Sequence, residues 1–147
     1  MDDRELQNLV EFTSIHYFKK EFLHEAFFNK RLRTTGGRYH LHSHDLDFNP
    51  LVYDIYGLNE LIKVIKHELC HYHLHLEGKG YLHRDVDFKK LLIQTGGSRH
   101  VPSLVKREGK YRYQCQDCGS TYERLRKMNV QKYVCGKCSG ELKLQIK

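Results

Sequence analysis

His67-Glu68-Leu69-Cys70-His71 lies inside a helical run, Leu58 to Leu76. On a helix His67 and His71 are one turn apart and project from the same face. Two imidazoles at that spacing can hold one Zn²⁺, and the glutamate between them can take a proton from a water the ion activates. This H-E-x-x-H pattern is the metal-and-base arrangement of a zinc hydrolase. Three fixed residues also arise by chance, on a helix with two exposed histidines and a surface glutamate. The flanks separate the two readings. Leu61, Val64, Ile65 and Leu69 recur at helical spacing, so the helix packs on a core. A glycine break follows, and His83 lies just beyond it.

A catalytic zinc takes three protein ligands and keeps one position open. The candidates for the third ligand are His73, His75, Glu77, His83, Asp85 and Asp87. His73 points away from the face shared by His67 and His71. His75 shares that face one turn further on, but three successive turns of a straight helix cannot close round one ion. His83 follows Gly78-Lys79-Gly80, where the chain can fold back, and is preferred; its alternative role is to cap the next helix. Glu68 reads as the general base. Cys70 points off the ligand face and reads as a small buried residue.

Before the motif, Leu6, Leu9, Val10 and Phe12 behind Asp2 and Asp3 predict a helix over 3–18. Gly36-Gly37 between two extended runs predicts a hairpin turn, and 45–48 a third strand, giving a small antiparallel sheet closed by Asn49-Pro50. His40, His42 and His44 alternate and would share one strand face, solvated or lining a substrate edge. Residues 51–56 read as a short helix or turn. Beyond the motif, a helix is expected over 84–95, ended by Gly96-Gly97. Residues 98–110, with Pro102 and many charges, read as a linker.

Four of the five cysteines form two pairs, Cys115/Cys118 and Cys135/Cys138, separated by sixteen residues. That spacing fits a structural zinc site in a reducing compartment better than a disulfide framework. The first residues, Met1-Asp2-Asp3-Arg4-Glu5, lack a secretory apolar region, so a cytoplasmic location is expected. No apolar run approaches the roughly 20 residues of a membrane span. The net charge of +7 is unevenly placed. Residues 1–97 carry 13 Lys+Arg against 14 Asp+Glu, and residues 98–147 carry 12 against 4. A basic third beside a neutral remainder points to a polyanion, nucleic acid first. Arg112, Arg124, Arg126, Lys127 and Lys132 interleave with Tyr111, Tyr113, Tyr122 and Tyr133, a mixture suited to phosphates and exposed bases. Thr121-Tyr122 and Lys132-Tyr133-Val134 read as strands.

The stretch from Phe28-Asn29 through Arg31-Leu32-Arg33-Thr34-Thr35-Gly36-Gly37-Arg38, the motif helix, His83 beyond its glycine break and the four-cysteine module together resemble the SprT-like family. The resemblance spans nearly the whole chain. It is strongest to the short bacterial members, and the family is related to Spartan, the eukaryotic protease that degrades proteins crosslinked to DNA. It implies an α+β chain: a zincin-like metalloprotease domain over 1–97, a linker over 98–110, and a basic zinc ribbon over 111–147. It implies Glu68 as the catalytic residue and His67, His71 and His83 as ligands of a catalytic zinc. A second, structural zinc is expected on Cys115, Cys118, Cys135 and Cys138. The expected substrate is protein associated with or crosslinked to DNA, recruited through the ribbon. The alternative is a zinc-containing nucleic-acid-binding or regulatory protein that does not cleave.

Overall fold

The structure, a computed structural model, describes residues 1–104, 111–124 and 126–145. The chain divides into two compact units, Met1–Val105 and Lys106–Lys147.

In the first unit, helix α1 (Asp3–Thr13) begins at a capping box. The Asp2 carboxylate accepts the Glu5 N–H at 2.8 Å, and the Glu5 carboxylate accepts the Asp2 N–H at 3.4 Å. Leu6 and Val10, one turn apart, are fully buried. The helix expected to run to residue 18 changes character at Ser14: a π-helical turn, Ser14–Phe18, widens it and ends at Lys19 in the left-handed region. Phe18 is thereby buried while Phe12 stays outside.

Three short strands follow, β1 (Ala26–Phe28), β2 (Gly37–Tyr39) and β3 (Leu46–Phe48), ordered β1-β3-β2. The expected antiparallel sheet is in fact mixed. Strand β1 runs parallel to β3, with Ala26 opposite Leu46, and only β2 is antiparallel to β3. The expected hairpin turn at Gly36-Gly37 is absent, because Gly37 opens strand β2. These glycines serve close approach. A Cβ on Gly37 would lie 3.0 Å from the Phe48 ring and 3.1 Å from Cγ of Glu68, and one on Gly36 would meet Val101 at 3.1 Å. The reversal between β2 and β3 falls on residues 40–45, with His44 in the left-handed region. His40, His42 and His44 therefore occupy a turn, not one strand face.

Helix α2 (Leu58–Leu76) has the expected bounds. It buries Leu61, Val64, Ile65, Leu69 and Cys70, and packs against β2, α1, a second π-helical turn (Val52–Tyr56) and helix α3 (Val86–Thr95). The expected linker begins later than position 98. Ser98 N–H donates to the Lys63 carbonyl at 3.1 Å, and Leu104 is buried in the first unit's core. Val101 and Leu104 are apolar enough to hold the segment there despite Pro102. Residues 105–110 lie outside the described residues.

The second unit is a three-stranded antiparallel sheet: β4 (Tyr111–Cys115), β5 (Thr121–Arg124) and β6 (Leu142–Gln145), ordered β5-β4-β6. Residues 132–134, expected as a strand, form a turn and irregular chain between the cysteine pairs. Strands β4 and β6 carry the sheet instead. Among the described residues no helix is long and apolar enough to cross a membrane.

Candidate metal centre

Helix α2 sets His67 and His71 on one face, and the segment after it brings His83 back over them. That segment is shaped by two carboxylates. Asp85 accepts the Leu82 N–H and Asp87 the Gly80 N–H, each at 3.0 Å. The three Nε2 atoms form a triangle with sides of 3.0, 3.0 and 3.3 Å. Phe88 of α3 packs against all three rings.

Backbone carbonyls fix the orientation of the first two imidazoles. Nδ1 of His67 donates to the Ser98 carbonyl and Nδ1 of His71 to the Tyr81 carbonyl, both at 2.6 Å. With the ring proton on Nδ1, the lone pair of Nε2 faces the triangle. Burial lowers the pKa of both rings against the pull of those carbonyls, and His71 is pushed down to about 4. Both are therefore neutral at pH 7, the state in which imidazole binds a metal. Two lone pairs turned into one triangle, with a third imidazole nitrogen beside them, suit a shared cation. A tetrahedral zinc about 2.0–2.1 Å from each nitrogen needs separations of about 3.3 Å, which the triangle nearly meets. The donor set fits the ion.

Glu68 is buried, its Cγ beside Gly37. Burial, and then the charge of Asp47, push its carboxyl up to about 8. Asp47 is fully buried and held by three donor groups. Arg38 grips it through Nη2 at 2.6 Å and Nε at 3.1 Å, and Asn29 donates at 2.9 Å. His40 Nε2 lies 3.4 Å from it.

The other candidates for third ligand are engaged elsewhere. His73 is buried with Nε2 2.7 Å from Ser14 Oγ, and its pKa is pushed down to about 4, mainly by burial. His75 meets the Tyr39 hydroxyl at 2.6 Å, and Glu77 pairs with Lys20 and Lys79. Cys70 is fully buried, its thiol pushed up to about 12, mainly by burial, and inert.

In the second unit Cys115, Cys118, Cys135 and Cys138 bring their sulfurs within 4.8 Å of one another. Cys115 and Cys138 are 3.4 Å apart, and Cys118 and Cys135 3.7 Å. A tetrahedral zinc about 2.3 Å from each thiolate sets sulfurs about 3.8 Å apart, so this set also fits. The Tyr122 hydroxyl, 3.1 Å from the Cys135 sulfur, holds that thiol down to about 6.

The SprT-like family profile matches residues 6–108 and that of the SprT-like zinc ribbon domain residues 109–145. The chain belongs to the SprT-like family. Proteins called SprT-like resemble it along nearly their whole length. That of Enterococcus faecalis is 60% identical over 100% of this chain and 97% of its own. The Lactiplantibacillus plantarum protein is 54% identical, over 98% and 99%, and the Geobacillus kaustophilus protein 53%, over 98% and 99%. No solved structure matches. The four-cysteine cluster is thus the structural zinc site of a SprT-like ribbon, and the chain is a zinc-binding protein.

Of the five basic residues expected to touch nucleic acid, Arg124, Arg126, Lys127 and Lys132 line one open depression of the ribbon with Tyr133. Arg112 lies outside it, on β4 opposite Glu123. Arg124 stands over the Tyr122 ring at 5.6 Å and Lys132 over Tyr133 at 5.7 Å.

Four parts of the SprT-like site escape sequence reasoning. The Ser98 and Tyr81 carbonyls are main-chain atoms, which no side-chain pattern announces. Phe88 is visible only as one apolar residue of α3. The Arg38–Asp47 pair had a partial signal in the Asn29–Arg38 stretch, but its acid lies on another strand.

Proposed function

We propose that this chain is a zinc-dependent peptidase of the cytoplasm, acting on proteins bound or crosslinked to DNA. The observation that carries the reading is the triangle of imidazole nitrogens, two of them on the helix that also carries the buried carboxyl of Glu68. Zinc held by His67, His71 and His83 would supply a Lewis acid that polarises the carbonyl under attack and acidifies the attacking water. The chain's own groups do the rest. The Ser98 and Tyr81 carbonyls keep the His67 and His71 rings from turning away. Glu68 in its ionised form takes a proton from water as its oxygen bonds to the carbonyl carbon, and burial, which favours the protonated form, makes it the stronger base. It then delivers that proton to the departing amine nitrogen as the C–N bond breaks. Tyr39 and Gly37 of β2 border the same cleft, so an extended chain has a strand edge to lie along.

Recruitment to DNA is supported by the ribbon's basic depression and by the charge divide of the sequence. The alternative, a nucleic-acid-binding zinc protein without proteolysis, has no use for a buried carboxyl at position 68.

The test is digestion of a DNA-crosslinked protein by wild type and Glu68→Gln, both loaded with zinc. The variant should lose about 10²–10⁴-fold in rate and keep its metal. Equal cleavage by both proteins, or loss of zinc from the variant, would overturn the assignment. DNA affinity should fall against salt on a log–log plot with a slope of about −3 to −5, for four to six phosphate contacts.

A further inference from the structure

The triad borders a second cavity, about 460 Å³ in volume, which shares His67, His83, Arg99 and His100 with the cleft over Glu68. Its apolar wall is Phe88, Leu92 and Ile93 of α3, and its charged rim is Lys89 and Arg99. Ile93 is 83% exposed, a large aliphatic surface that an occupant would cover. No carboxylate lines the cavity. Among the described residues Lys89 and Arg99 form no ion pair. The acids nearest in sequence, Asp85 and Asp87, are turned onto the Leu82 and Gly80 amides. The cavity thus combines an apolar body with two uncompensated cations.

We propose that this cavity is a specificity subsite seating an acidic side chain, glutamate above all, of the protein substrate next to the bond that is cut. The proposal rests on the peptidase reading of the triad. An extended peptide advances about 3.3 Å per residue. With its reacting carbonyl at the Nε2 triangle, a neighbouring side chain falls beyond His67 and His83, into this cavity. The stem of a glutamate lies along Phe88 and Leu92, and its carboxylate reaches Lys89 and Arg99, where charge-assisted hydrogen bonds form. A lysine in the same place meets like charge and is rejected.

The experiment uses the full chain carrying Glu68→Gln and loaded with zinc, titrated with labelled ten-residue peptides. A single Glu, Gln or Lys is walked along a neutral host sequence. At one position Glu should bind about tenfold more tightly than Gln, with Lys weakest. Adding Lys89→Glu and Arg99→Glu, both surface changes, should invert the order of Glu and Lys while zinc content stays the same. An unchanged order, or no binding by any peptide, would overturn the proposal. Cleavage of the same peptides by wild type separates the two readings. Glutamate preference in binding with no cleavage sinks the peptidase reading and leaves the subsite; cleavage indifferent to glutamate sinks the subsite alone.

Discussion

At the triad, two of three imidazoles are aimed by carbonyls from neighbouring segments, and their helix packs against two other helices, a π-helical turn and a strand. In the ribbon, Tyr113 and Leu142 are buried together with two of the cysteines themselves, and Tyr122, Met128 and Val130 pack against the cysteine cluster. The first site is a place in a core that the protein builds by itself. In the second, two of the metal ligands are themselves part of a very small core. A structural zinc in such a module supplies folding free energy directly, about 10–16 kcal/mol in the smallest cases. A catalytic ion beside a finished core contributes much less to the fold and exchanges more readily.

The largest expected effect follows from that contrast. A strong chelator, or Cys135→Ser, should unfold 111–145 while the first unit keeps its structure. Limited proteolysis would show cuts confined to the ribbon. Ribbon amides that remain dispersed in an NMR spectrum without metal would break the comparison.

Next is Gly97→Val. A Cβ at this position would come within 2.6 Å of Leu92 Cδ1 and 3.2 Å of the His67 amide nitrogen. The segment presenting the Ser98 carbonyl must shift, and loss of such a supporting contact typically costs about 10–100-fold in metal affinity. Metal analysis under mild chelation should show the triad ion lost and the ribbon ion kept. Loss of both together would mean that the two sites are not independent.

A smaller effect tests what holds the first site without metal. Burial raises the Asp47 carboxyl, but hydrogen bonds from Arg38 and Asn29 overcome it and hold the group below its ordinary range. The stability this contributes is complete above the ordinary carboxylate pKa and is lost as pH falls through the depressed one. Arg38 is half exposed, so Arg38→Ala should cost only about 1–2 kcal/mol near neutral pH. The gap between variant and wild type should be full above the ordinary carboxylate pKa and close as pH falls through the depressed one. Denaturant titrations across that range check it, and a constant gap would remove Asp47 as the cause. Smallest is Asp2→Ala, which deletes the α1 cap for about 1 kcal/mol and should leave both metal sites untouched.

What was legible in the sequence follows how information is stored in it. The bounds of α2 could be read because side-chain period and glycine punctuation repeat over five turns. The ribbon ligands could be read because thiol spacing is itself the signal. Strand pairing could not, since a three-residue strand leaves no period to measure. Gly36-Gly37 gave a turn reading because a missing Cβ signals sharp reversal and close packing alike, and only Phe48, Glu68 and Val101 decide between them. Pro102 and the surrounding charges concealed Val101 and Leu104, two apolar residues sufficient to dock the segment.

Gly37 sets how far this site can drift by mutation. Its α-carbon lies where even a methyl group would press on the Phe48 ring and on the stem of Glu68. Alanine there asks Phe48 or Glu68 to give by a few tenths of an ångström, and every larger side chain asks for more. A surface lysine can be respelt with most of the amino-acid alphabet; this residue has only its smallest letters.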